Sequence, residues 1–371
     1  MPVDRRRFLK ATGALGAVGL AGCTTNPNND AGDNNNNNTG NGDGDGGEDP
    51  VNVGMVYATG GLGDKSFNDM AHQGVQQAAK EYNVEYQNAE PEEASQVGSL
   101  QKRFAQEGTF DLITGVGFVQ KDGMVTNAQE FPDQNWILID ETAQTEDGKL
   151  LENVANYRFK EHQGSFQIGY LSALLSTQEF SAGESSTKPD QKSVGFVGGF
   201  EIPLIKKFLA GFQAGVAHYD DSIEVQSAYA GAFNDPATGK EIALSMYDNG
   251  ADIVYHAAGG TGLGVFQAAR QVGGFAMGVD ADQSKSNAEY KDVILASMVK
   301  HVDLAVYESV EAVVNGNFKG GVENRLGLKE EGVEAVYGQE LGSAIPEDVK
   351  SKLEESKQQI IDGEITVPSE L

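Results

Sequence analysis

The chain has 371 residues, with 27 lysines and arginines against 55 aspartates and glutamates, a formal net charge of −28 at pH 7. That sign excludes nucleic acid as a partner, and an anionic lipid surface would repel the folded body. A single cysteine in the whole chain excludes disulfides, and it leaves no cysteine nucleophile or cysteine-ligated zinc site beyond Cys23.

The first elements concern export. Arg5, Arg6 and Arg7 precede Phe8-Leu9-Lys10, an apolar run over 11–20, and then Ala21-Gly22 before Cys23. A charged start, a short apolar middle and small residues at a cut site describe an export signal. The run is about half of the ~20 residues needed to cross a bilayer. The paired arginines resemble a twin-arginine signal, and Leu20-Ala21-Gly22-Cys23 resembles a lipobox, whose cysteine is lipidated after cleavage. Residues 1–22 are therefore expected to be removed, and Cys23 to carry a lipid holding the protein at the outer face of the cell membrane. Residues 23–50, rich in Asn, Asp and Gly, read as a disordered tether spanning roughly 30 Å. The acids beyond it are spread along the chain, a solvated surface suited to very salty water. A halophilic source is expected.

Residues 51–371 exceed what one compact core holds, and two domains are expected. Apolar β-rich runs lie at 51–58, 110–116, 136–140, 194–198, 252–258, 276–279 and 293–298. Helical patterns lie between them: Ala71, Val75, Ala78, Ala79 and Tyr82 share one face, as do Val302, Ala305, Val306, Val310 and Val313. This alternation predicts parallel sheets covered by helices, in two α/β lobes with a ligand cleft at the strand carboxyl ends. The expected division gives 51–158 plus about 275–300 to a first lobe and 159–274 plus about 301–345 to a second. Residues 346–371 read as a C-terminal helix and tail, and 181–191 as a surface loop.

Enzyme signatures are not found. No GxxxxGK[ST] or GxSxG occurs, the five histidines share no metal-ligand spacing, and no metal, cofactor or catalytic residue is expected. Gly259-Gly260-Thr261-Gly262-Leu263-Gly264 follows a strand and opens a helix, but Val265 stands where GxGxxG needs its last glycine. It reads as a tight turn whose amides face a cleft. Gly63-Asp64-Lys65-Ser66-Phe67-Asn68 admits two readings. Asp64 or Ser66 caps a helix while Phe67 packs into the core, or Phe67 offers a stacking face, worth roughly 1–3 kcal/mol per base.

Further motifs follow in order: Gly115-Val116-Gly117-Phe118, Val194-Gly195-Phe196-Val197-Gly198-Gly199, Phe233-Asn234-Asp235-Pro236, Gly278-Val279-Asp280-Ala281-Asp282-Gln283 and Ser297-Met298-Val299-Lys300. With Asp64–Asn68 they resemble the basic membrane protein family of PnrA-like lipoproteins over nearly all of 51–337. The resemblance implies a type I periplasmic-binding fold, two doubly wound parallel-sheet lobes around a ligand cleft. It also implies the role of substrate-binding lipoprotein to an ABC importer; the better understood members bind nucleosides. Phe67 and Phe233 would sandwich the base, with Ser66 and Asn68 also among the binding positions. Asp140 would point toward the base, or simply cap its strand end. Asp280 would accept from ribose hydroxyls; Lys300 would donate to the ribose and balance Asp280, or form a structural ion pair. Backbone groups at Gly259 and Gly260 would complete the sugar site. One departure stands out, Ala58-Thr59-Gly60-Gly61, where nucleoside-binding members carry acid or amide side chains. The expected protein is a monomeric binder that closes over a nucleoside, a purine preferred, and delivers it to a membrane permease. A sugar or other small polar metabolite is the alternative ligand, and a surface nucleoside hydrolase the alternative class.

Overall fold

The structure, a computed structural model, describes residues 49–371. The export signal, Cys23 and the tether lie outside the described residues.

The first sheet begins with β1 (Val51–Val56), α1 (Phe67–Glu81), β2 (Val84–Ala89), α2 (Val97–Glu107), β3 (Leu112–Gly115), α3 (Lys121–Glu130), β4 (Asn135–Ile139) and β5 (Val154–Phe159). Ile137, Leu138 and Ile139 are fully buried because helices cover both faces of the sheet. The chain then crosses over. There follow α4 (Glu161–Ser176), a hairpin of β6 (Ser181–Ala182) and β7 (Ser185–Ser186), β8 (Ser193–Gly198), α5 (Pro203–Tyr219), β9 (Glu224–Tyr229) and α6 (Pro236–Asp248). After them come β10 (Ile253–Ala257), α7 (Leu263–Val272), β11 (Phe275–Asp280), α8 (Gln283–Ser286) and β12 (Ile294–Lys300). Two further crossings place α9 (Val302–Val314) and β13 (Val322–Leu326) back in the first lobe, and β14 (Val333–Tyr337) and α10 (Glu347–Asp362) in the second.

The six-stranded sheets repeat one order, β13-β5-β4-β3-β1-β2 and β14-β12-β11-β10-β8-β9. All pairs are parallel except β12 with β14. The two-lobe α/β architecture is as the alternation predicted, but the expected allocation is corrected for 275–300 and for α9 and β13, while 333–345 join the second lobe as expected. Residues 275–300 complete the second sheet, because β11 and β12 extend the run that starts at β8. Of the later residues, α9 packs on α1, where Tyr82 donates to Glu311 at 2.5 Å, and β13 pairs with β5. Residues 181–191 lie at the surface as expected, most of them exposed, but they are tied down and carry the β6–β7 hairpin. Phe180 and Ala182 are buried, the Phe180 ring lies 5.4 Å from that of Phe275, and Lys188 donates its amide to Asp252 at 2.8 Å.

The three crossings lie side by side. Lys160 donates its amide to the Leu326 carbonyl at 2.8 Å, and His301 to that of Gly332 at 2.9 Å. The third crossing is thus bonded to both others, and the cleft opens beside them.

Candidate functional site

The cleft holds a cavity of about 700 Å³ lined from both lobes. Its first wall forms at the start of α1. The Asp64 carboxylate accepts from the amides of Ser66 (2.9 Å), Asn68 (2.9 Å) and Asp69 (3.2 Å), so Asp64 satisfies the helix start. With the cap supplied there, Ser66 and Phe67 are free for other tasks. Phe67 is half-buried and lines the cavity. Behind it Gly117, at φ 97°, leaves room that a side chain would take: a Cβ there would stand 3.3 Å from the ring. Asn68 lines the cavity too, but its amide is spent holding the 58–61 loop, accepting from Ala58 N at 3.0 Å and donating to Gly61 O at 3.0 Å.

The opposite wall presents Phe233. Thr261 fixes its segment, donating to the Ala232 carbonyl at 3.0 Å and accepting from the Asp235 amide at 2.8 Å. The ring rests against Gly199, where a Cβ would stand 2.3 Å from it. Phe118 of the first lobe lies 6.5 Å from Phe233 across the cleft, edge to face, and Phe200 flanks it at 5.1 Å. Gly259 lines the main cavity. Gly260 does not; it lines an adjoining outer chamber of about 540 Å³.

The floor is charged. Asp140 follows β4 and Asp280 ends β11, equivalent places in the repeated strand order, and both have left-handed backbones (φ 72° and 63°). That conformation costs of order 1–3 kcal/mol, which the surrounding structure must supply. Lys300 Nζ meets Asp140 at 2.5 Å and Glu161 at 3.1 Å, and Glu161 meets Lys207 at 2.9 Å. The ammonium also lies 4.9 Å from the ring centres of Phe67 and Phe159 and 5.9 Å from that of Phe208. The short contacts of Lys300 go to Asp140 and Glu161, the ion pair that is this lysine's other expected role, while Asp280 accepts from the Ser66 hydroxyl at 2.5 Å and meets Lys300 only as a nearby charge. Ser66 itself is fully buried behind Asp280 and does not line the cavity.

Burial opposes the charge on Lys300, but Asp140, Glu161 and Asp280 outweigh it and hold the ammonium well above its ordinary value. Burial pushes Glu161 up, and Lys300 with Lys207 more than offset it, leaving it below the usual carboxylate range. Burial raises Asp140 against the pull of Lys300, so the ammonium is the fixed charge of that pair. Asp280 is pushed up to about 6 by burial, with Asp64 and Asp140 adding to it and Lys300 and Ser66 opposing. The floor therefore offers one carboxylate on the edge of protonation beside a permanent cation. A neutral molecule carrying hydroxyls suits such a floor, and a flat ring suits the space between Phe67 and Phe233.

Sequence reasoning missed Glu161, Lys207, Phe118 and Phe208. Glu161 did carry a signal: it is an acid opening a mostly buried helix two residues after a strand ends, a position that calls for a partner. Among the described residues, no group of histidines and acids could hold a metal ion, and no helix is long and apolar enough to cross a membrane.

Comparison with known proteins accords with this geometry. The family model described as "ABC transporter substrate-binding protein PnrA-like" matches residues 51–370. An uncharacterised lipoprotein of Pyrococcus furiosus is 32% identical over 338 residues, covering 85% of this chain and 80% of its own. The ABC transporter nucleoside-binding protein BmpA of Lactococcus lactis is 30% identical over 337 residues, covering 86% and 89%. A solved ABC transporter solute-binding protein of Aeropyrum pernix superposes with a TM-score of 0.74 at 30% identity, covering 86% and 94%. The fold is that of type I periplasmic-binding proteins, and the chain belongs to the PnrA-like family of ABC transporter substrate-binding proteins.

Proposed function

We propose that this protein captures a nucleoside in the interlobe cleft and hands it to an ABC permease for import. One observation carries the reading: Phe67 and Phe233, one from each lobe, line the same cavity as Asp280 and Lys300. Two rings provide stacking faces for a base, and a carboxylate with an ammonium provides partners for ribose hydroxyls. The rings and aliphatic side chains of the wall favour a base over a bare sugar. In this reading Phe67, Phe233, Asp140, Asp280, Lys300 and Gly259 contact the ligand, while Ser66 and Asn68 position Asp280 and the 58–61 loop. A purine is the preferred base in this reading, although Ala58 and Thr59 bring no acid or amide to its edge. The lobes close about the three crossings, and a monomer suffices.

The twin-arginine signal and the lipidated Cys23 belong to the same reading, since a binder facing open medium must be tethered near its permease. One acyl-type chain alone anchors marginally. The net charge of −28 fits a halophilic source.

Titration calorimetry in molar salt against adenosine, guanosine, inosine, cytidine and uridine tests the proposal, with ribose, galactose and myo-inositol alongside. Heat from a purine nucleoside supports it. Heat from a sugar with none from any nucleoside would overturn it, and release of free base during the titration would show a hydrolase.

A further inference from the structure

We propose that Gln283 is a positioning residue for ligand capture, holding the two lobes closed by latching α8 of the second lobe onto the Lys65 carbonyl of the first. The proposal rests on the cleft being the binding site.

The first half of the latch is the turn before α1. Two carboxylates brace it from within its own lobe: Asp69 accepts from the amides of Gly63 at 2.7 Å and Lys65 at 3.0 Å, and Asp64 accepts from that of Ser66 at 2.9 Å. Lys65 adopts a left-handed backbone, φ 55°, which needs such bracing in a residue with a long side chain. Its carbonyl crosses to the second lobe, where it accepts from Gln283 Nε2 at 3.2 Å and from the Ser286 hydroxyl at 3.0 Å.

The second half is equally fixed. Gln283 is buried in the second lobe. Its side-chain oxygen accepts from the Val279 amide at 2.9 Å and lies 2.9 Å from His256 Nε2, and its backbone N–H donates to Ser297 Oγ at 3.1 Å. Burial drives His256 down to about 4, so the ring is neutral; the Val279 N–H identifies the facing Gln283 atom as oxygen, which can only accept, so His256 Nε2 carries the proton. With the oxygen doubly occupied, the amide nitrogen can face only outward, toward Lys65. Each lobe therefore presents its half of the latch already oriented, so little entropy is lost when the halves meet. The latch sits beside the ligand floor: Ser66 follows Lys65 and bonds to Asp280, three residues before Gln283. Closure places Phe67 and Asp280 together, and opening the latch separates them.

The test is Gln283→Glu combined with Ser286→Ala in the full-length protein. Glutamate keeps an oxygen for Val279 and His256 but sets a second acceptor against the Lys65 carbonyl. Ser286→Ala alone, which removes one surface hydroxyl, serves if the double variant folds poorly. The readouts are dissociation of a bound purine nucleoside by stopped flow and lobe separation by small-angle scattering. The latch predicts dissociation about tenfold faster in the double variant and about threefold in Ser286→Ala, with association unchanged, as expected for losing two or one neutral hydrogen bonds. Equal dissociation rates would overturn it. Should no nucleoside bind the wild-type protein, the proposed ligand is wrong and scattering decides the latch: a more open double variant sustains it, and equal profiles overturn it.

Discussion

Replacing Phe67 by alanine separates two roles that its position allows. The ring packs partly on the first-lobe core and partly lines the cavity. A fully buried phenylalanine cut to alanine loses about 3–5 kcal/mol of stability. Phe67 is only half-buried, so Phe67→Ala should lose about 1–2 kcal/mol on the same scale. Lys300 loses one of three ring contacts but keeps both carboxylates and the rings of Phe159 and Phe208. Stacking contributes roughly 1–3 kcal/mol to binding, so Kd should rise about 5- to 150-fold. Phe104→Ala is the control, since Phe104 is wholly buried in the same lobe away from the cavity; it should lower the melting temperature strongly and leave Kd of the folded protein unchanged. Phe67→Tyr should keep affinity, whereas Phe67→Leu, which keeps apolar bulk without a flat face, should not. Calorimetry for Kd and thermal denaturation for stability, run on all four variants, decide the matter. A Phe67→Ala protein that melts as early as Phe104→Ala yet binds normally would refute the reasoning and make Phe67 a core residue.

Lys300→Met strands Asp140 as a buried acid and leaves Glu161 to Lys207 alone; it should cost about 3–5 kcal/mol by denaturant titration, with Asp140→Asn added to it restoring part of the loss. Asp280, raised to about 6, binds its proton more tightly folded than unfolded, so its ionisation costs stability as pH rises from about 4 to 6. Ligand hydroxyls need the ionised form, so Kd should rise about tenfold per unit below pH 6, a dependence that calorimetry should find flattened in Asp280→Asn. His301 shows the same sign in a higher pH window. Burial lowers it, but Asp303 at 3.3 Å and Glu334 at 3.1 Å raise it to about 10. Its contribution is fully present below about pH 6.5 and lost by pH 10, so the melting temperature should fall between pH 7 and 10, and fall less in His301→Gln.

Local pattern made much of this fold legible. Short, β-branched apolar runs such as Ile137-Leu138-Ile139 fit strands buried on both faces, and the 3.6-residue spacing of Ala71, Val75 and Ala78 marks a helix against them. The strands that escaped notice lie mostly at or near sheet edges. β2 and β9 carry polar residues on exposed faces, and β13 and β14 are only partly buried, so their periodicity is faint. The places where the chain turns at strand ends, near Asp140 and Asp280, were visible as well, because a polar residue closing an apolar run has few other meanings.

Other features are properties of contact between distant segments. Ser66 and Asp280 stand 214 residues apart in the chain, and no spacing rule predicts that a hydroxyl beside a helix start is spent on a carboxylate of the other lobe. The partners of Lys300 depend on three crossings that bring β4, α4 and β12 to one point, and Glu161 joins them only because the first crossing ends there. The same crossings return α9 to the first lobe, which sequence adjacency cannot reveal. Burial and backbone preference act over a few residues, so the kind of elements, their order and the residue types at their ends were legible in the chain alone. Which lobe each late segment joins, and which charges meet on the floor of the cleft, was decided by tertiary structure alone, because electrostatic and hydrogen-bond partners are chosen by proximity in space.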